Sequence, residues 1–393
     1  MWQGLYISVL GGLVLLCLVP LASPLFSLFK HDPLVQENEV KYFQILALGG
    51  FPVIASSAFS GFFAGLGRPW PVMWISCSST AVNLILAYIL VFGKWGFPEM
   101  GISGAGLATL FAGIFSFFIY LVLVYTKAND RAFRILKGWR FNRELFFRLL
   151  RFGLPSGVQF FLDIAGFTIF VLLVGRLGTQ SLAATNIAFN INTLAFMPMI
   201  GFGIAVSVLV GQYMGKNRPD LAESSVYSGF HMTFLYMTTV AAAYMLIPKV
   251  FVAPFASQAS AEDFAEIYRV TVILLRFVAV YSVFDTMNII FASALKGAGD
   301  TRYVMFMIMV ISGLVLVIPT FLFIIVLGYG LMASWTVASI YVIILAFSFY
   351  LRFLGGKWKS MRVIEAPSLL LPAGYPESPG DKLEPSSGPS IED

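Results

Sequence analysis

Ten apolar runs, separated by short polar or glycine-rich stretches, make up most of the chain: about 5–28, 42–64, 71–92, 101–125, 154–176, 186–211, 226–248, 270–294, 303–326 and 331–353. A bilayer core about 30 Å thick is crossed by roughly 20 residues of helix, and each run reaches that length. Each is too long for a barrel strand and apolar on more than one face. Helices are therefore the expected spanning elements, because a helix satisfies its own backbone polar groups in lipid. The first run contains the small-residue stretch Leu21-Ala22-Ser23 but lacks a positive flank and is too long for a signal peptide, so it reads as a span.

The polar positions between the runs set an orientation. With Met1 on the cytoplasmic side and alternating spans, 18 of the 25 Lys and Arg residues face the cytoplasm, six face the other side and Arg276 lies within a span. That bias fixes direction and an even helix count, and it places the C-terminal tail in the cytoplasm. The connector Lys127–Arg151 interleaves basic residues with Phe133, Ile135, Leu136, Trp139 and Phe141, and reads as an amphipathic helix at the membrane surface, in contact with lipid. Beyond about Ile364 the chain is rich in Pro, Ser and Gly, cannot bury a core, and is expected to be disordered.

An internal repeat decides the architecture. Gly65-Leu-Gly67-Arg-Pro-Trp-Pro-Val72-Met73 closes the second run, and Gly297-Ala-Gly299-Asp-Thr-Arg-Tyr-Val304-Met305 closes the eighth, with all four shared residues 232 positions apart. The halves read as parallel copies of one unit. The expected fold is an all-α polytopic membrane protein of two pseudo-symmetric bundles. Residues 1–126 form a four-helix bundle, 127–153 a connector, 154–353 a six-helix bundle and 354–393 a basic juxtamembrane segment and tail. The second copy starts near residue 154; moved back by 232 positions, that start falls about 78 residues before Met1. A stretch of that length would hold two more helices, so an incomplete 6+6 arrangement is expected.

Composition narrows the function classes. Hydrophobic residues are 59% of the 393, charged residues only 11%, and mean hydropathy is +0.85, which excludes water-soluble enzymes and nucleic-acid readers. The net charge of +5 follows from the cytoplasmic bias and needs no nucleic acid. Cys17 and Cys77 lie inside apolar runs and form no metal or disulfide pattern.

Of 20 acidic residues, only Asp163 and Asp285 fall well inside predicted spans. An ionised carboxylate at mid-membrane costs about 2.5–3.5 kcal/mol on insertion scales, so each needs a cation, a proton or an aqueous cavity. Tyr281 and Asp285 are four residues apart and share a helix face, as do Asn186 and Asn190, with Thr185 and Thr193 nearby. Carboxylate, amide and hydroxyl oxygens from three helices suit a hard monovalent cation such as Na+ at Asp163, Asn190 and Asp285, and the carboxylate pair can equally hold a proton. The competing reading is interhelical hydrogen bonding, worth about 0.6 kcal/mol per contact; Arg276 is a further candidate, as counter-ion to Asp285. No Walker loop, Gly-x-Ser-x-Gly or HExxH occurs, so neither an enzyme nor a cofactor is expected, and any pumping must run on an ion gradient. Some of the 39 Phe could line a cavity for aromatic cations. Pro155, near the start of the fifth span, and Pro198, inside the sixth, invite kinks.

These residues resemble the multidrug and toxic compound extrusion (MATE) transporters, in their bacterial NorM-like branch. The resemblance lies in Leu154-Pro155 with Asp163 fifteen residues before Gly178, Ala183-Ala184-Thr185-Asn186-Ile-Ala-Phe-Asn190, Gly201-Phe-Gly-Ile-Ala-Val-Ser207, Gly211-Gln212-Tyr-Met-Gly215-Lys216, Tyr281-Ser-Val-Phe-Asp285 and Leu295-Lys-Gly297-Ala-Gly299-Asp-Thr301. It covers nearly the whole second half, and the first half more loosely, from the third family helix onward. It implies two bundles facing a central cleft in the bacterial inner membrane, and export of cationic, lipophilic compounds in exchange for Na+ or H+. It also implies a cation site at Asp163, Asn190, Tyr281 and Asp285, with Asn186 a weaker fifth. The chain is expected to act as a monomer. Two alternatives stay open. A lipid-linked precursor flippase of the same superfamily would want a cleft rich in Arg and Lys, whereas the spans are expected to hold only Arg276. A non-transporting remnant is the other.

Overall fold

The computed structural model describes residues 1–27, 32–258 and 261–361. The tail, with its expected disorder, lies outside them. Among the described residues every regular element is helical. The first half contains α1 (Trp2–Leu18), α2 (Ala22–Ser27), α3 (Pro33–Leu48), α4 (Gly50–Gly65), α5 (Pro69–Phe92) and α6 (Gly101–Val124). A short α7 (Lys127–Phe133) leads into the second half. There follow α8 (Arg143–Val174), α9 (Thr179–Gly215), α10 (Pro219–Leu246), α11 (Pro248–Val252), α12 (Ala261–Ala298), α13 (Thr301–Ile311), α14 (Ile318–Phe321) and α15 (Leu331–Leu354). The π turns Ser312–Val317 and Leu322–Val326 join α13 and α14 into one apolar span, Thr301–Val326. Pro319 explains the widened turns, since it lacks an amide donor and crowds the carbonyl four residues back.

Among the described residues seven helices are long and apolar enough to cross a membrane, and nine if two bent pairs each count as one span, against the ten expected. The differences trace to proline. α1 stops at 17 residues, because Pro20 follows its end and cannot continue it. The second expected span begins earlier than predicted, at Pro33, and bends by 49° between α3 and α4, where the Pro52 ring opposes the Leu48 carbonyl. A 90° break at Ile247-Pro248 ends α10.

The connector also differs from the single amphipathic helix expected over 127–151. Arg134, at φ +48°, ends α7 in the left-handed region, and a 3₁₀ turn over Leu136–Trp139 follows. The Asn142 side chain then accepts the Leu145 amide at 3.0 Å and opens α8. Residues 143–153 therefore belong to the first helix of the second half, and Pro155 sits inside it rather than near its start.

The repeat is visible as backbone geometry. Gly67 and Gly299, 232 positions apart, have φ of +70° and +100° and end α4 and α12. In each case the glycine amide bonds the carbonyl three residues back, and the next amide bonds the carbonyl five back: Gly67 to Ala64 and Arg68 to Phe63, Gly299 to Lys296 and Asp300 to Leu295. This is a Schellman turn, which needs a residue tolerant of the left-handed region. Asn217, at φ +58°, makes the same pair of bonds between α9 and α10.

Each half has its own apolar core. One is built on Phe59, Phe63, Ile75, Tyr120 and Val124, with Ile135 of the connector. The other gathers α8 to α15 around Phe170, Met199, Leu274, Phe291, Trp335 and Phe349. Packing between α9 and α12 relies on small residues: a Cβ on Gly203 would sit 2.8 Å from Ser293 Oγ, and one on Gly297 would sit 2.4 Å from the Ser207 carbonyl oxygen. Close approach of small residues is how helices gain dispersion contact where lipid removes the hydrophobic drive. The halves touch where α1 meets α8 and α4 meets α9, and Gln212 Nε2 donates to the Gly65 carbonyl at 2.9 Å.

Candidate cation and substrate site

A cavity of about 800 Å³ opens within the second half, among α8, α9, α12, α13 and α15. Helix periodicity aims each lining side chain. On α12, Tyr281, Asp285, Asn288, Ala292 and Lys296 recur at three- and four-residue steps and form one stripe. On α8 the stripe is Gln159, Asp163 and Phe167; on α9 it is Phe189, Asn192, Thr193, Phe196 and Ile200. The Gly203–Ser293 and Ser207–Gly297 contacts lock α9 against α12, so these stripes face one space. Phe160, Phe167, Phe189 and Phe196 supply aromatic walls.

The polar groups are linked in two sets. Gln159 Nε2 donates to Asp163 Oδ2 at 2.6 Å, and Gln159 Oε1 accepts from Lys296 Nζ at 3.2 Å. Asn288 Nδ2 donates to Asp285 Oδ1 at 2.8 Å. Asp285 is only 7% exposed and Tyr281 5%, whereas Asp163 is half-buried. Among the described residues no carboxylate lies within ion-pair distance of Lys296.

Of the five residues singled out from sequence, the structure brings Asp163, Tyr281 and Asp285 together in this cavity. Asn186 and Asn190 are exposed and outside it, and Asn190 Nδ2 donates to its own helix, at the Asn186 carbonyl. Asn190 is turned about 100° around α9 from the lining Phe189, and Asn186 lies just over a turn before Asn190. Thr185 is buried and accepts a hydrogen bond from Trp335 Nε1 at 3.3 Å, so it joins helices together. Arg276 is exposed and does not line the cavity.

Sequence reasoning missed Lys296, Gln159, Asn192 and Asn288. Lys296 is the important omission, since α12 carries it into the cavity and the spans do not hold Arg276 alone. The expected span ended at 294, two residues short. Spacing carried a signal, because Lys296 is eleven residues after Asp285, three turns along one face. A part-buried ion pair also escaped notice. Asp300, in the α12–α13 turn, accepts from Arg352 Nε of α15 at 2.8 Å, and Arg352 stacks 4.4 Å from the Tyr303 ring centre.

A model of the MatE family matches residues 1–89 and 155–322. The chain belongs to this family. MATE family members are transporters, not enzymes. The chain is 25% identical over 370 residues to a probable multidrug resistance protein NorM of Thermotoga maritima, across 92% of this chain and 77% of that protein. It is 30% identical over 309 residues to the multidrug resistance protein PmpM of Pseudomonas aeruginosa, across 78% of this chain and 63% of that one. A solved MATE structure described as an outward-facing conformation of a multidrug resistance transporter superposes with a TM-score of 0.79 at 20% identity, over 91% of this chain and 78% of that one. At that identity the likeness is one of fold. The MATE chain is thus a polytopic membrane protein whose described acid-lined cavity lies wholly in its second half.

Proposed function

We propose that this chain belongs to a secondary active antiporter of the bacterial inner membrane that exports cationic, lipophilic compounds in exchange for Na+ or H+. The observation that carries the proposal is the pair Asp163 and Asp285 facing one aromatic-walled cavity within helices that would span the bilayer. A carboxylate held away from water favours any cation that reaches it. An organic cation and a small coupling cation would then compete for the same negative charge, and competition of that kind is the minimum requirement for exchange. The phenylalanine walls add contact and cation–π attraction for flat lipophilic cations. Asp163, Asp285, Asn192 and Thr193 offer oxygens that would suit Na+, while the two carboxylates alone would serve H+. The names of the Thermotoga and Pseudomonas relatives support multidrug compounds as the cargo. A single lysine against two acids is a poor match for a diphosphate-headed lipid, which disfavours the flippase alternative.

The test is transport by the purified full chain in liposomes. Ethidium flux driven by an imposed Na+ or H+ gradient is the expected result. Failure of both gradients to move ethidium or tetraphenylphosphonium would reject the proposal for this chain.

A further inference from the structure

The ionisable groups around the cavity do not amount to two free acids. Asp163, Asp285 and Lys296 all line it, so with each in its charged form the net charge is one negative unit. The ammonium is fixed to one of the acids through an intervening amide. Gln159 accepts from Lys296 through Oε1 and donates to Asp163 through Nε2, at 3.2 Å and 2.6 Å. Only this orientation of the amide suits both neighbours; the reverse would set its NH₂ against the ammonium and its oxygen against the carboxylate. Asp285, by contrast, is held by Asn288, a neutral donor. Its charge has no cationic partner within ion-pair distance among the described residues.

We infer that Lys296 is a built-in cation that limits the cavity to one positive charge from outside, and so selects monocations over dications. The inference rests on the proposed role of the cavity as a cation site. A bound monocation neutralises Asp285 and leaves the cavity balanced. A dication leaves one uncompensated positive charge in a poorly solvated space beside a fixed ammonium, where repulsion is weakly screened. The same balance makes the coupling ion and a monocationic substrate equivalent in charge at this site, one for one. Lys296 also sits in the last turn of α12, where the helix dipole favours a cation.

The experiment is equilibrium binding to the purified full chain in detergent, with tetraphenylphosphonium as the monocation and an alkane-linked bis-triphenylphosphonium as the dication. Wild type should prefer the monocation. Lys296→Gln should move the affinity ratio toward the dication by roughly tenfold, the effect of one charge near 10 Å at an effective dielectric near 20. Lys296→Arg should keep the wild-type ratio. The ratio is taken within one preparation, so a partly unfolded fraction cancels. As a second measurement, Asp285→Asn should lose monocation binding, and adding Lys296→Gln to it should restore part of that binding by returning the net charge to one negative unit. An unchanged ratio in Lys296→Gln, an equal shift in Lys296→Arg, or no rescue in the double variant would overturn the inference while leaving the antiporter reading in place. Absence of saturable tetraphenylphosphonium binding to wild type would remove both.

Discussion

Gly297 of α12 lies directly against the backbone of Ser207 in α9: a Cβ at Gly297 would stand 2.4 Å from the Ser207 carbonyl oxygen and 3.0 Å from its Cα. The obstacle is backbone, which cannot swing aside as a side chain would. This contact holds α12 in the register that points Asp285 and Lys296 into the cavity.

Gly297→Ala is therefore expected to destabilise the second half by about 1–3 kcal/mol, as overpacking does in a tight core. A Cβ on Gly201, also in α9, would meet nothing within 4 Å, so Gly201→Ala is expected to melt at or slightly above wild type. Thermal unfolding of both variants in the same detergent is the check. Equal melting temperatures would show that the α9–α12 approach is looser than these distances state.

Asp285→Asn and Asn190→Ala separate the cavity from its exposed neighbours. Asp285 is buried in the cavity, whereas Asn190 lies outside it and bonds its own helix. Asp285→Asn is expected to abolish gradient-driven ethidium flux with insertion and melting unaffected. Asn190→Ala is expected to change flux by no more than about twofold, within the range of a lost exposed hydrogen bond. A larger loss in Asn190→Ala than in Asp285→Asn would place the cation on the other face of α9.

How far the sequence could be read depended on which property set each feature. Apolar run length and the 232-residue repeat depend on composition and turn chemistry, and Gly67 and Gly299 do occupy equivalent left-handed turns. Asp163 and Asp285 stood out because carboxylates are rare and costly inside spans. The breaks after Leu18, near Gly49 and at Ile247 come from Pro20, Pro52 and Pro248, single residues that an averaged apolar run conceals. Asn190 lies outside the cavity and Lys296 inside it for opposite reasons. A polar residue inside a span can face away from the cavity, and a charged residue at a span's end can reach back into it along the helix face. Gln159 carried no signal, since its role exists only once α8 and α12 are neighbours.

The Asp300–Arg352 pair is expected to behave as a buried ion pair. Asp300 is 7% exposed and ties the α12–α13 turn to α15, with Tyr303 under the guanidinium. Removing one partner leaves a stranded charge, so Arg352→Met should cost about 3–5 kcal/mol. Asp300→Asn combined with Arg352→Met should recover most of it. Arg352→Lys should fall between, because an ammonium does not reproduce the stacked planar guanidinium. Thermal melts of wild type, the two single variants Asp300→Asn and Arg352→Met, and their combination form a double-mutant cycle. Additive single effects would mean that the two side chains are not coupled.

The joint between the halves is held from α1. Three side chains from the first turns of α1 take carbonyls of the connector: Trp2 Nε1 donates to Ile135 at 2.7 Å, Gln3 Nε2 to Arg140 at 3.1 Å, and Tyr6 Oη to Trp139. Trp2 also packs edge-on to Tyr125, with ring centres 5.9 Å apart. Between α7 and α8 the connector has one 3₁₀ turn of its own, so its order depends on these contacts. Trp2→Ala removes an indole donor and an aromatic contact together, each worth about 1 kcal/mol. Opening of the connector should rise by about tenfold or more, and trypsin cleavage at Arg134, Lys137 and Arg140 should accelerate accordingly. Trp2→Phe, which keeps the ring and loses the donor, should give an intermediate rate. Cleavage rates identical to wild type in both variants would show that the connector is held by its own Ile135 packing rather than by α1.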